Sequence, residues 1–381
     1  MKRLAHAPHR LYFFLGALAV SILFSWWWWQ LQSPRPIEMP LHAVLMPLGV
    51  FPLFILGFTF TAGPKWLSLN EPPHNFLLHG GTYFSGLLLA LFASTWGLNP
   101  LRMSGFALML AAWCAVTFRW ARLILLSPVK DKNHAQALLF AMTGGILSLA
   151  CAFFWSAGVR EAWVAARQMA FFAFLLPVFL TVCHRMLPFF SSNVIRSYTV
   201  WRPYWLLNLW IGSSWALAFT GILEWHVVEA VLASMLSLSF ANTSWRWGLF
   251  RSLENRLLAM LHLSFAWLSV VFALQAVSAF GVPIGSAMIH ALALGFMGTM
   301  LVGFVSRVSF GHSGRPLQAS NALWCIYLAL HIAALLRVVA SVTATPQMLQ
   351  WSASIWLLLI LAWIGLMLPI YLTPRADGQA G

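Results

Sequence analysis

The chain has 381 residues, of which 61% are hydrophobic and only 8% are Asp, Glu, Lys or Arg. A soluble domain carries about 25% charged residues, because charge keeps its surface in water; this composition, with a mean hydropathy of +0.81, excludes a soluble globular fold. The formal charge of +14 is spread as single basic residues between apolar runs, with no basic domain to hold a duplex, so nucleic acid is excluded as a partner.

A helix that crosses a hydrocarbon core needs about 20 apolar residues. The sequence predicts twelve such runs, at 11–31, 42–62, 74–97, 102–126, 134–157, 167–190, 203–223, 226–245, 257–279, 284–306, 318–341 and 348–372. Each is read as a helix, because lipid offers no partner to an open backbone. The expected fold is an all-α polytopic transmembrane bundle of about twelve helices, one integral membrane domain over residues 1–381 with no separate soluble domain. The first run ends in Trp26–Trp29 without a small-residue cleavage site, so it reads as a retained helix with an interfacial tryptophan anchor. With the N-terminus inside, only Arg35, Arg102, Arg160, Arg167 and Arg337 of the 22 Lys and Arg residues fall outside, leaving 17 inside. That bias predicts cytoplasmic termini. No strict repeat is visible, although helices 2 and 10 both open on His-Ala, at His42-Ala43 and His290-Ala291. Cys114, Cys151, Cys183 and Cys325 lie inside apolar runs without CxxC spacing, as small packing residues do.

The chain keeps 12 His against 8 Asp plus Glu, and ionisable groups inside a membrane are expensive. At about 1.5 Å per residue, His42, His226, His290 and His331 fall in the outer half, with His290 roughly 9 Å below the outer face. His79, His184 and His262 fall roughly 7 Å from the inner boundary, and His312 is expected in a cytoplasmic loop after helix 10. Two layers of imidazoles on different helices suit buried metal or haem sites. A lone membrane histidine is more often an interhelical hydrogen-bond donor than a ligand, and no HxH, HH or HxxxH pair exists. His6, His9, His74 and His134 read as interfacial.

Residues 290–317 stand out. Gly295 and Gly298 thin one face of helix 10, admitting another backbone or a flat macrocycle. Arg307, His312 and Arg315 gather at its cytoplasmic end; they suit haem propionates or anionic lipid headgroups. Met297 shares the face of His290 and reads as packing.

The segment His290–Leu317 resembles the most characteristic block of the NnrS family. The resemblance extends to His42-Ala-Val-Leu-Met, to Gly57-Phe-Thr-Phe-Thr-Ala-Gly-Pro-Lys-Trp66 and to Arg185-Met-Leu-Pro-Phe-Phe190. It implies a bacterial inner-membrane protein that binds haem and copper and is linked to nitric oxide metabolism and nitrosative stress. In this family the first block often reads His-Ala-His-Glu-Met, whereas this chain has Val44 and Leu45, which alters any metal site using that second histidine. His184 stands where many members have glycine.

The resemblance supports His42 and His290 as ligands without saying which metal each holds; in the haem reading they are haem ligands, with Arg307, His312 and Arg315 around the cofactor and His79, His184 and His331 as further metal candidates. The implied partners are the bilayer and nitric oxide or iron-nitrosyl species, with no redox partner identified. Glu229 alone among the acids lies clearly inside a helix, a poor proton pathway, which favours binding or protective chemistry over sustained turnover. The alternative is a secondary transporter of a small solute, in which Pro47, Pro52 and Pro177 would unwind helices at a substrate site.

Overall fold

The computed structural model describes residues 4, 6–34, 37–69 and 75–379. His74, Lys2, Arg3 and Arg35, used in the reading above, lie outside the described residues. Twelve helices among these residues are long and apolar enough to cross a membrane: α1 (Pro8–Gln32), α2 (Met39–Trp66), α3 (Phe76–Thr95), α4 (Asn99–Leu126), α5 (Asn133–Ser156), α6 (Ala162–Ser192), α7 (Tyr204–Leu223), α8 (His226–Arg246), α9 (Arg256–Ala279), α10 (Ala287–His312), α11 (Asn321–Val342) and α12 (Pro346–Leu372). No strand occurs among them. Large apolar side chains such as Phe118, Leu125, Leu238, Ile332 and Leu358 are exposed on these helices, as lipid-facing side chains are in a multi-pass membrane protein.

The expected runs coincide with these helices to within a few residues. The largest difference is at α10, which runs to His312, six residues past its expected end at 306. His312 is therefore the last helical residue and not part of a loop. Ser306–Gly311 contains no proline to stop the helix, and the stop comes at Gly314, whose φ of +68° favours glycine.

The chain divides into two compact units, Met1–Thr181 and Val182–Gly381, the division falling within α6. In the first unit, α2 bends at Phe51. Pro52 has no N–H, so the Leu48 carbonyl loses its helical donor; the Tyr83 hydroxyl of α3 supplies one at 2.7 Å. Phe51 itself stays in the right-handed helical region (φ −93°, ψ −39°), so the proline kinks α2 without unwinding it. Pro177 likewise cannot donate to Ala173, and α6 widens into a π-helix over Met169–Leu175 just before it. Gly144 of α5 lies against the Ala173 carbonyl with no room for a Cβ. Trp113 and Trp120, seven residues apart on one face of α4, donate their indole N–H groups to the carbonyls of Met142 and Ala135 on α5, both at 3.0 Å.

In the second unit Trp210, Phe240, Trp247 and Phe265 form an aromatic core, with Trp247 and Phe265 centroids 4.8 Å apart. The Trp247 indole donates to the Trp201 carbonyl at 2.8 Å. Helix α12 is fastened to α10 by Trp363, which donates to Ser306 at 3.0 Å, and by the Ser309–Tyr371 hydroxyl pair at 3.0 Å. The buried indoles of Trp113, Trp120, Trp247 and Trp363 thus each carry a polar handle that finds an acceptor where water is absent.

Candidate functional site

The first unit holds His42 and His79. His42 lies one turn into α2, half-buried, and its ring stacks on Trp27 of α1 with centroids 3.6 Å apart and planes at 25°. The Trp26–Trp29 run is therefore divided: Trp26 is buried, Trp28 and Trp29 are exposed, and Trp27 covers one face of His42. Val44 and Leu45, at the positions where a second histidine and a glutamate would stand, are wholly buried and offer no donor atom. His79 sits in the first turn of α3, half-buried.

The second unit holds the other candidates, in three small assemblies. The first is built on Ser286, just before α10. His290 Nδ1 lies 2.8 Å from the Ser286 carbonyl oxygen, which can only accept, so Nδ1 carries the proton. The neutral imidazole then has its lone pair on Nε2, the tautomer that metal-ligating histidines adopt when the other ring nitrogen donates to a carbonyl. Helix α10 widens into a π-helix over Ala291–Gly298 immediately afterwards, a distortion that recurs at functional sites. Ser286 Oγ also lies 3.3 Å from Arg337 Nη2 and 3.2 Å from Ser341 Oγ, and the same guanidinium donates to Ser341.

The second assembly centres on Trp267 of α9. A Cβ at Gly295 would come within 2.5 Å of the Trp267 ring, and one at Gly298 within 3.0 Å of Trp356. The flat partners of these glycines are thus two indoles, in place of the backbone or macrocycle expected above, because α9 and α12 bring tryptophans to those levels. Trp267 Nε1 in turn donates to His331 Nδ1 at 2.8 Å. An indole only donates, so His331 keeps its proton on Nε2, which is buried without a hydrogen-bond partner. In this arrangement His331 presents a donor, not a ligand lone pair. Met297 is buried packing.

The third assembly lies towards the opposite end of α10. The Arg307 guanidinium stands 4.0 Å above the Phe190 ring, and next to Phe190 the Ser191 hydroxyl lies 2.9 Å from His262 Nε2. His184, fully buried, is ringed by Tyr204, Trp210 and Trp247, and its Nε2 donates to the Pro203 carbonyl at 3.2 Å. The expected cluster of Arg307, His312 and Arg315 is only partly gathered. Arg307 turns to Phe190, the His312 carbonyl accepts from Arg375 at 3.2 Å, and Arg315 Nη1 is buried without a partner. Glu229, in the first turn of α8, accepts from Gln275 at 2.9 Å.

Among the described residues no group of three or more His, Cys, Asp and Glu side chains stands at metal-binding spacing. A copper ion held by several such donors therefore does not fit this arrangement. A haem iron can be held by one oriented imidazole, and the His290 tautomer, with Nδ1 tied to Ser286, suits that role. Reading the sequence missed Arg337, which was counted only towards orientation; its signal was a lone cation inside an apolar run.

No curated protein and no solved structure matches the chain. The family model described as NnrS protein matches residues 3–375, nearly the whole length. The chain belongs to the NnrS family.

Proposed function

We propose that this protein is a haem-binding protein of the bacterial inner membrane that binds or processes nitric oxide or iron-nitrosyl species. Membership in the NnrS family supports the link to nitric oxide. The observation that carries the haem reading is the His290 tautomer: its Nδ1–H is tied to the Ser286 carbonyl, which orients the ring and leaves Nε2 as the ligating atom. His42, whose ring stacks on Trp27 in the first unit, is proposed as a haem ligand within that unit. Haem iron with an open position binds nitric oxide.

The rest is what these residues do. Ser286 holds the His290 ring in one orientation, so little ordering is needed when a ligand arrives. Trp267 holds His331 as an Nε2–H donor, able to hydrogen-bond a small polar ligand. Glu229 is bound by Gln275 near a helix start, so no carboxylate relay runs through α8. This favours binding or protective chemistry over proton-coupled turnover.

The test is optical. Protein purified in detergent after expression with ample haem should show reduced and oxidised haem spectra, stoichiometric iron, and a spectral shift with nitric oxide. Quantifying copper alongside iron tests whether the copper expected from the family resemblance is bound. His42→Ala and His290→Ala should each disturb the haem spectrum. A colourless protein overturns the haem reading, and unchanged spectra in both variants overturn the ligand assignment.

A further inference from the structure

Arg337 is a cation inside α11, five residues before its end at Val342. Neither of the ion pairs His226–Glu229 and Arg375–Asp377 includes Arg337. Its partners are the Ser341 and Ser286 hydroxyls, which carry no charge. An unneutralised guanidinium within a membrane span is costly, and such residues mark ligand sites. Two of its five N–H donors are engaged with serines; the others remain for an acceptor.

The position of this cation matters. Ser286 receives Arg337 on its hydroxyl and His290 Nδ1–H on its carbonyl, so one residue separates the guanidinium from the proposed ligand. Gly285, at φ +55°, brings the loop so close to α11 that a Cβ would stand 3.0 Å from the Ser341 carbonyl oxygen. Arg307, by contrast, lies 17 residues along α10 from His290, about 25 Å at the helical rise, too far to reach a group held there.

We propose that Arg337, backed by Ser286 and Ser341, is the anion clamp of the His290 site and takes the carboxylate edge of the haem ligated there. The inference rests on the haem reading above. A guanidinium fork matches a carboxylate bidentately, and such charge-assisted hydrogen bonds are about twice as strong as neutral ones. The bound carboxylate in turn supplies the counter-charge that the chain leaves out.

The test compares protohaem with its dimethyl ester, which lacks carboxylates, by the rate at which each leaves the purified full-length protein for an acceptor globin. In the wild type the ester should leave about tenfold faster or more, as loss of a charge-assisted pair implies. Arg337→Gln should speed protohaem loss to the ester's rate, leave the ester's rate unchanged and lower the haem midpoint potential. Arg337→Lys should recover part of the difference. Equal acceleration of both haems in Arg337→Gln and Arg337→Lys would make Arg337 merely structural and overturn the clamp. Unchanged protohaem loss in Arg337→Gln, with haem lost in His290→Ala, would overturn the clamp and leave the ligand standing. A wild type that binds neither haem overturns the underlying reading and the clamp with it.

Discussion

Single side chains in this protein are chosen for which atom carries a proton. The Ser286 carbonyl makes His290 an Nε2 lone pair, and the Trp267 indole makes His331 an Nε2 donor; two neutral histidines thereby acquire opposite chemistry. Replacing Trp267 with Phe keeps an aromatic ring but deletes the indole N–H and part of the ring that packs on Gly295. We expect a loss above the roughly 1 kcal/mol that such a bond is usually worth, because a gap is left in the packing, and a His331 ring free to change tautomer. Thermal unfolding in detergent and histidine nitrogen NMR shifts measure the two effects. Gly295→Ala pushes a methyl into the Trp267 ring and should cost about 1–3 kcal/mol as overpacking; an unchanged melting temperature would show that the indole yields freely.

At the scale of elements, the chain repairs the carbonyls that its prolines orphan. Tyr83 donates to Leu48 across the α2 kink, and Tyr83→Phe leaves that carbonyl buried and unpaired. The expected cost is about 1–3 kcal/mol, and denaturation of Tyr83→Phe beside the wild type tests it. Beyond α12, the segment at Arg375–Asp377 folds back on the end of α10: the Ala376 N–H donates to the Ser313 carbonyl at 2.8 Å, and Arg375 pairs with Asp377 at 2.6 Å. The hydrogen bond from Arg375 holds the Asp377 carboxyl at about 2, below its ordinary 3.8. A depressed acid contributes its stability above the ordinary value and loses it as pH falls through the folded value. The latch should therefore be intact from neutral pH down to about pH 4 and open towards pH 2. Hydrogen exchange at the Ala376 amide reads this directly, and Asp377→Asn should speed that exchange at neutral pH. Equal exchange in both proteins would assign the latch to the backbone bond alone.

For the whole molecule, the distribution of basic residues predicts which way the bundle faces. A reporter active only in the cytoplasm should work when fused after Gln379 and fail when inserted at the α5–α6 connection near Arg160. The reverse result would invert the orientation and place the His290 end of α10 on the cytoplasmic side.

Much of this architecture was legible in the chain alone. Twelve apolar runs of spanning length appear as twelve helices because the bilayer permits no other closed backbone, and hydropathy reports that requirement directly. The transporter reading expects Pro47, Pro52 and Pro177 to unwind their helices; Pro47 lies inside regular helix, Pro52 kinks α2 without unwinding it and a π-helix precedes Pro177, since a missing N–H acts locally. The family was readable in the block from His290 to Leu317, and its model extends over residues 3–375. The π-helix after His290 carries no proline and was invisible; it forms where α10 packs against α9 and α11. The tautomer of His331, the indoles against Gly295 and Gly298, and the serine-backed Arg337 depend on side chains dozens of residues away in sequence, whereas the His290 tautomer is set locally by the Ser286 carbonyl four residues before it. Composition and periodicity determine which segments enter the membrane, since that is a property of each segment and its solvent. Which nitrogen of His331 bears a proton, and which arginine stands beside which histidine, is decided only when separate helices pack and their few polar groups must find one another.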